Sequence, residues 1–171
     1  MERTLIILKP DAVKRGSVVE ILTRFERVGL KIVASRMFQP TSDHYFEHYE
    51  NIGKMVSRRG QDKFEITLRL MQEGPVIAFV LEGVEAVALV RKMVGTTEPK
   101  SAQPGTIRGD YAHISFGHAD KEGIGIPNII HASGDPEEAQ REIDHWFSDS
   151  EIFDYETVFE VYTQAKHRKS K

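Results

Sequence analysis

The stretch Ile126–Ile143, IPNIIHASGDPEEAQREI, decides how the chain is read. It opens with a short β-branched run, Asn128 to His131, and passes through small residues into a helix start. Asp135 stands at the capping position, Pro136 at the first helical position, and Glu137 and Glu138 in the first turn. Acids there complement the positive end of the helix dipole. Ala139, Ile143, Trp146 and Phe147 then give the helix a buried stripe. So a strand feeds an amphipathic helix, and an ionisable ring, His131, closes the strand. Taken alone, such a histidine reads as a core residue whose ring nitrogens meet backbone groups.

Working outward, Thr4 to Lys9 is a short β-prone run. Ser17 and Glu20 form a capping-box pattern, and Val18, Ile21, Leu22, Phe25 and Val28 recur at helical spacing until Gly29 stops them. Leu30 to Phe38 reads as a second strand, ended by Gln39-Pro40. Ser42 to Tyr49 and Gln61 to Gln72 read as helices, the latter with Phe64, Leu68 and Met71 on one face. Val76 to Leu81 is continuously apolar, as expected of a central strand. Val84, Val87, Val90 and Val94 mark a helix that Gly95 closes. Four strands with crossing helices fit a split βαβ, ferredoxin-like order, and also a doubly wound parallel sheet; spacing does not separate the two. From Gly95 to Pro127 little regular periodicity is left. A loop of that length is usually functional or disordered. Pro99, Pro104, Gly105 and Gly109 stiffen or turn it, and we read it as an ordered loop that brings polar groups to a site.

The chain has 171 residues, 40% apolar and 29% charged, which suits one globular domain with a real core. There is no cysteine. That excludes a disulfide framework, thiolate metal ligands and cysteine nucleophiles, and fits a reducing, cytoplasmic setting. Leu5 to Leu8 is too short for a signal peptide or a membrane span. The formal net charge of −3 offers no bulk basic field for nucleic acid. The one basic cluster, Lys166 to Lys171, reads as a solvated end.

Phosphate-binding glycine motifs are missing: there is no G-x-x-x-x-G-K-[ST], and GIGIPN puts Asn128 where a dinucleotide fingerprint needs its third glycine. A nucleotide would therefore have to be held by side-chain cations, and Lys9, Arg91 and Arg108 are the candidates, with Thr97 and Asn128 beside the long loop. His44, Glu47 and His48 form an H-x-x-E-H pattern that suits zinc. No third protein ligand is marked for it, so a polar helix face is the simpler reading. For His131 to act as a nucleophile it needs a neighbour that fixes its tautomer. Glu142 lies about 10 Å along the helix axis from the cap, within reach if the helix packs back on the strand.

These residues resemble the nucleoside diphosphate kinases over roughly Thr4 to Phe153. Three ordered blocks carry the resemblance: TLIILKPDAVKRG, VRKMVGTTEPKSAQPGTIRGD and NIIHAS. It implies a single α+β domain, residues 1–171 with about 154–171 as a C-terminal extension. The implied fold is ferredoxin-like: a four-stranded antiparallel sheet with helices on one face plus surrounding helices. It also implies ping-pong transfer of the γ-phosphoryl group of ATP, or another nucleoside triphosphate, to a nucleoside diphosphate. His131 matches the family's nucleophile, which reacts through Nδ1, and Glu142 the carboxylate that orients it. Lys9 and Tyr49 match residues at the transferring phosphate, and Ser133 the serine beside the histidine. Arg91, Thr97 and Arg108 match phosphate-binding residues, and Asn128 the side chain on the ribose 3′-hydroxyl. Mg2+ is expected on the nucleotide phosphates with no protein ligand, and the assembly as a homo-oligomer, a dimer-based tetramer or hexamer. The other class, a nucleic-acid-binding ferredoxin-like domain, would need aromatic residues alternating on an exposed strand, and Val76 to Leu81 do not supply them.

Three departures from the family pattern stand out. The segment NIGKMVSRRGQDK after Tyr49 replaces a compact turn, which leaves Phe64 as the nearest base-stacking phenylalanine. Roughly Phe116 to Gly125 are inserted before NIIHAS, and with GHADKEG at their centre they read as a passive, solvent-exposed tip carrying His118. Gly134 separates Ser133 from Asp135, which shifts the helix cap.

Overall fold

A computed structural model describes residues 1–164; the basic cluster Lys166 to Lys171 lies outside the described residues. The chain runs β1 (Glu2–Leu8), α1 (Pro10–Lys14), α2 (Val18–Arg27), β2 (Lys31–Phe38), α3 (Ser42–Phe46), a π-helical turn (Glu47–Ile52), α4 (Met55–Arg59), α5 (Gln61–Met71), β3 (Val76–Gly83) and α6 (Ala86–Val94). The second half holds a 3-10 turn (Pro99–Ser101), α7 (Ile107–Tyr111), α8 (Phe116–Glu122), β4 (Ile130–Ala132), α9 (Pro136–Trp146), a second 3-10 turn (Asp149–Glu151) and α10 (Glu160–Thr163).

The sheet order is β2-β3-β1-β4, and every pairing is antiparallel. This is the ferredoxin-like order, and the doubly wound parallel sheet is excluded. Residues alternate between faces along a strand, so β1 splits its apolar run. Ile6 and Leu8 join Ile21 and Phe25 of α2 and Val90 and Val94 of α6 in one core. Leu5 and Ile7 join Tyr45, Met71, Ile143 and Trp146 in the other. The two crossover helices thus cover one face, and α3, α5 and α9 cover the opposite one. Burial on both sides explains why β1 and β3 read as continuous hydrophobic runs; among the described residues no strand carries an exposed aromatic side chain. No described helix is long and apolar enough to cross a membrane.

Several local readings need correction. Ser17 precedes α2 but makes no side-chain capping bond. Gly16 at φ +70° brings the chain in with Ser17 at ψ 4°, away from the extended geometry that lets a capping hydroxyl reach the N3 amide. The capping box expected at Ser17 and Glu20 is therefore not formed. Val84 lies outside α6 and is exposed. The insertion is not a loose tip: residues 116–122 form α8, capped by Ser115, whose Oγ accepts from the His118 amide at 3.2 Å. Gly123 ends it in the left-handed conformation. At Asp135 the expected cap holds, with Oδ1 accepting from the Glu138 amide at 2.8 Å.

Candidate active site

β4 is three residues long and edges the sheet next to β1, with His131 opposite Ile7. The strand begins from a tight turn. The Ile130 amide donates to the Asn128 carbonyl at 2.8 Å, which puts Ile129 at φ +74°. A β-branched residue there is strained, and the surroundings hold it. Its amide donates to Asp11 Oδ2 at 2.9 Å, its carbonyl accepts from the Lys9 amide at 2.9 Å, and its side chain is fully buried. The turn ties β4 to the end of β1, so Lys9, Asn128 and His131 converge on one cavity.

Of the two His131 ring nitrogens, Nε2 meets Glu142 Oε1 at 2.7 Å. The ring is 19% exposed and lines the cavity. Nδ1 has no hydrogen-bond partner among the described residues. Glu142 is buried at 1% exposure, and its other oxygen accepts from Ser133 Oγ at 2.6 Å. Ser133 Oγ in turn accepts from the Leu5 amide at 3.2 Å. The helix α9 does pack back against the sheet, so the carboxylate two turns from the cap reaches the ring. Burial pushes the Glu142 carboxyl up, against the pull of His48 and the Ser133 hydroxyl. Burial pushes the His131 imidazole well below its usual value; Lys9, Arg108 and Arg91 add to that, while Glu138 opposes it. Burial thus favours the neutral ring, and a carboxylate at Nε2 favours the tautomer that carries its proton there.

The cavity, about 450 Å³, is lined at this end by Lys9, Arg91, Thr97, Arg108 and Asn128. Lys9 Nζ donates to Asn128 Oδ1 at 2.6 Å, and Asn128 Nδ2 donates to the Thr97 carbonyl at 2.8 Å. Burial pushes the Lys9 ammonium down to about 8, with Asp11 opposing and Arg108 adding. Arg108 is held by three carbonyls, those of Ile130 at 2.6 Å, Gly95 at 2.9 Å and Asn128 at 3.3 Å. Burial, then Arg91, lower it to about 10. Arg91 Nη1 donates to the Ala132 carbonyl at 3.3 Å. Three cations around one neutral imidazole repel each other unless an anion joins them, so the site is built for phosphate.

The π-helical turn Glu47–Ile52 adds a residue per turn and changes which side chains face inward. It buries His48 and brings Tyr49 to the cavity wall. His48 Nδ1 accepts from Trp146 Nε1 at 3.2 Å, and its ring meets that of His131 edge-on at 4.6 Å. Burial, aided by His131, lowers its imidazole to about 3. Tyr49 Oη is buried without a partner, and burial raises its hydroxyl pKa. The zinc pattern does not form a site. His44 stacks on His145 at 3.9 Å, Glu47 accepts from Asn51, and His48 turns toward His131.

Phe64 is not where a base-stacking residue is needed. It is 5% exposed, packs edge-on against Phe46 at 5.7 Å, and does not line the cavity. The cavity wall instead carries Thr67 of α5 and Met55, Arg58 and Arg59 of α4; the last three left no signal in the sequence because α4 is a single short turn. Asp11 was also missed, although it sits inside the first motif block.

The nucleoside diphosphate kinase family model matches residues 2–152. The chain belongs to the nucleoside diphosphate kinase family. Family membership makes it a phosphotransferase that moves phosphoryl groups between nucleotides. It is 43% identical to the nucleoside diphosphate kinase of Borreliella burgdorferi, over 91% of this chain and 92% of that protein. To that of Pyrococcus furiosus it is 45% identical, over 91% and 88%. A structure described as a transition-state mimic of the Borrelia burgdorferi kinase, with bound vanadate and ADP, superposes with a TM-score of 0.90 at 42% identity, covering 94% and 95% of the two chains. A Halobacterium salinarum nucleoside diphosphate kinase in complex with CDP gives 0.79 at 34% identity, covering 94% and 97%.

Proposed function

We propose that the chain transfers the γ-phosphoryl group of a nucleoside triphosphate to Nδ1 of His131 and from there to a nucleoside diphosphate. The observation that carries this is the 2.7 Å contact of Nε2 with Glu142, which leaves Nδ1 as the lone-pair nitrogen in a cavity lined by Lys9, Arg91 and Arg108. In the forward half-reaction the Nδ1 lone pair attacks the γ-phosphorus. The bond from that phosphorus to the bridging oxygen breaks, and the nucleoside diphosphate departs with the bridging electrons. The ring becomes cationic with its proton still on Nε2, where the buried Glu142 carboxylate stabilises it. Ser133 holds that carboxylate in place. The second nucleoside diphosphate runs the same steps in reverse.

Phosphoryl transfer depends on placement and charge stabilisation. Lys9, Arg91 and Arg108 supply the cations, Thr97 and Asn128 supply polar contacts to phosphate and sugar, and Tyr49, whose hydroxyl has no partner, lines the same cavity. The cavity wall has no free pair of carboxylates, since Glu142 is occupied on both oxygens. The His48, His131 and Glu142 cluster is imidazole-rich, unlike the all-oxygen surroundings that Mg2+ prefers. These residues fit a Mg2+ held by the nucleotide's phosphates, where it would neutralise part of their charge. The Borrelia burgdorferi structure, a transition-state mimic with bound vanadate and ADP, supports phosphoryl transfer from a nucleotide as the reaction. We take the chain to act as one domain, as a dimer-based homo-oligomer and in the cytoplasm; the resemblance and the lack of cysteine support this.

The test is steady-state kinetics with ATP and a second nucleoside diphosphate. Parallel double-reciprocal lines are expected, together with loss of transfer in a folded His131→Gln protein. Intersecting lines, or transfer retained by that variant, would exclude the histidine shuttle.

A further inference from the structure

The loop from Gly95 to Glu98, between α6 and the first 3-10 turn, carries two carbonyls on which the site depends. Arg108 Nη1 donates to the Gly95 carbonyl at 2.9 Å, and Asn128 Nδ2 donates to the Thr97 carbonyl at 2.8 Å. The second bond fixes the Asn128 amide. Lys9 Nζ donates to Asn128 Oδ1 at 2.6 Å, so turning the amide over would set its oxygen against the Thr97 carbonyl and its NH2 against an ammonium. One Nδ2 hydrogen and one Oδ1 lone pair remain for a ligand hydroxyl, which can both donate and accept.

The backbone does little to hold the Thr97 carbonyl still. Among the described residues no amide of Thr96, Thr97 or Glu98 donates to a backbone carbonyl. The Glu98 side chain fastens the loop instead. Its Oε1 accepts from the Phe116 amide at 2.9 Å, and its Oε2 accepts from the Ser101 hydroxyl. The Ser101 and Phe116 donors hold the carboxyl below its usual range, so both bonds are charge-assisted, the stronger kind. The Phe116 amide stands at the start of α8, where no helical carbonyl is available to it. α8 is itself anchored. Lys63 of α5 pairs with Asp120, and the Lys100 amide donates to the Ile114 carbonyl at 3.1 Å. Past α8 the chain lies against α5 at Gly125, where a Cβ would come within 2.8 Å of the Leu70 Cβ. Glycine is what permits that approach. A fixed helix thus holds Glu98, and Glu98 holds the carbonyl beside it.

We propose that Glu98 is a positioning residue for sugar recognition: by joining the loop to α8 and to Ser101 it sets the Thr97 carbonyl that orients Asn128. Glu98 does not line the cavity and acts only through Asn128. This rests on the phosphotransfer reading, in which Asn128 meets the ribose, and extends it to a residue behind the site. α8 then serves the site as a brace and is not a passive tip.

The experiment is calorimetric binding of Mg·ADP and of Mg·3′-deoxy-ADP, which lacks only the hydroxyl, to the unaltered protein, Glu98→Ala, Glu98→Gln and Ser101→Ala. The unaltered protein should prefer ADP by about tenfold, as expected of one hydrogen-bonded hydroxyl. Glu98→Ala should cut that preference about fivefold while 3′-deoxy-ADP affinity stays within about twofold. Ser101→Ala removes one of the two bonds at an exposed position and should shift the preference the same way by less. Glu98→Gln can accept from the Phe116 amide and donate to the Ser101 hydroxyl, so it should keep the preference. Equal losses for both ligands in Glu98→Ala, or an unchanged preference there, overturn the positioning role. So does loss of the preference in Glu98→Gln, or its absence from the unaltered protein. Should Glu98→Ala fail to fold, an unchanged preference in Ser101→Ala overturns it. Acid-labile labelling by saturating γ-labelled ATP, done on the same preparations, separates the two layers. Normal labelling of the unaltered protein with any of those results overturns only the role of Glu98. No labelling overturns the phosphotransfer reading and this proposal with it.

Discussion

At the scale of single residues the site depends on which groups carry charge at neutral pH. Lys9 is pushed down to about 8 by burial, so it is charged below that pH and neutral above it. The free enzyme should therefore lose kcat/KM as pH rises through about 8, because kcat/KM reports groups in the unliganded enzyme. Lys9→Arg, which stays charged, should move that limb upward; a pH profile of both proteins checks this, and an identical alkaline limb would mean that Lys9 does not set it. His48 gives the opposite edge. It is buried and its pKa is lowered to about 3, while the unfolded chain takes up this proton near 6.5. Stability should fall as pH drops from about 6.5 toward 3, because there the unfolded state binds more protons. The slope from this group alone is about 1 kcal/mol per pH unit. His48→Gln can still accept the Trp146 N–H and should flatten the dependence by that amount in urea titrations at pH 7, 6 and 5. His131, Lys9, Arg91 and Arg108 were legible in the sequence as polar groups at element ends or beside a long loop. Phe64 was misassigned because a helical face tells which residues align but not whether that face meets the core or a cavity. The reach of Glu142 was legible only conditionally, since it depends on how α9 packs.

At the scale of elements the strained turn before β4 is the critical joint. Ile129 is held at φ +74° by burial and by Asp11, whose Oδ2 accepts its amide proton. Such a conformation costs about 1–3 kcal/mol and persists only when its surroundings enforce it. Asp11→Ala removes the acceptor and leaves a buried N–H unpaired, a further cost of about 1–3 kcal/mol. We expect the turn to relax, Asn128 and His131 to move, and kcat/KM to fall by about 10- to 100-fold, which is about 1.4–2.7 kcal/mol of transition-state stabilisation. Asp11→Asn, which keeps an oxygen acceptor, should retain more activity than Asp11→Ala; equal losses would show that the charge beside Lys9 matters and the turn does not. Strands and long helices were readable because their periodicity extends over several turns or pleats. The short helices α4, α7 and α8 and the π-helical turn were not. A single turn has too few residues for a period to show, and a helix that short is not stable on its own. The strained turn left no local signal at all, because Asn-Ile-Ile reads as strand and only the pairing with Asp11 across the fold turns it.

At the scale of the whole molecule the sheet does two jobs. Helices bury both of its faces, which supplies stability, and the adjacent ends of β1 and β4 bring Lys9 and His131 into one cavity. The topology was within reach of the sequence as one of two orders, and the antiparallel pairings decide between them. The contact between α4 and α8 was not, since nothing local links Arg59 to Phe116. The proposed histidine shuttle requires that Glu142 occupy Nε2 of His131 and so leave Nδ1 as the phosphoryl acceptor. It is tested most directly by phosphorylating the folded protein with ATP and Mg2+ and assigning the phosphorylated nitrogen by phosphorus- and nitrogen-resolved NMR. One phosphohistidine is expected, on His131, with phosphorus bonded to Nδ1 and the proton retained on Nε2. Phosphorus on Nε2, or on any residue other than His131, would contradict it.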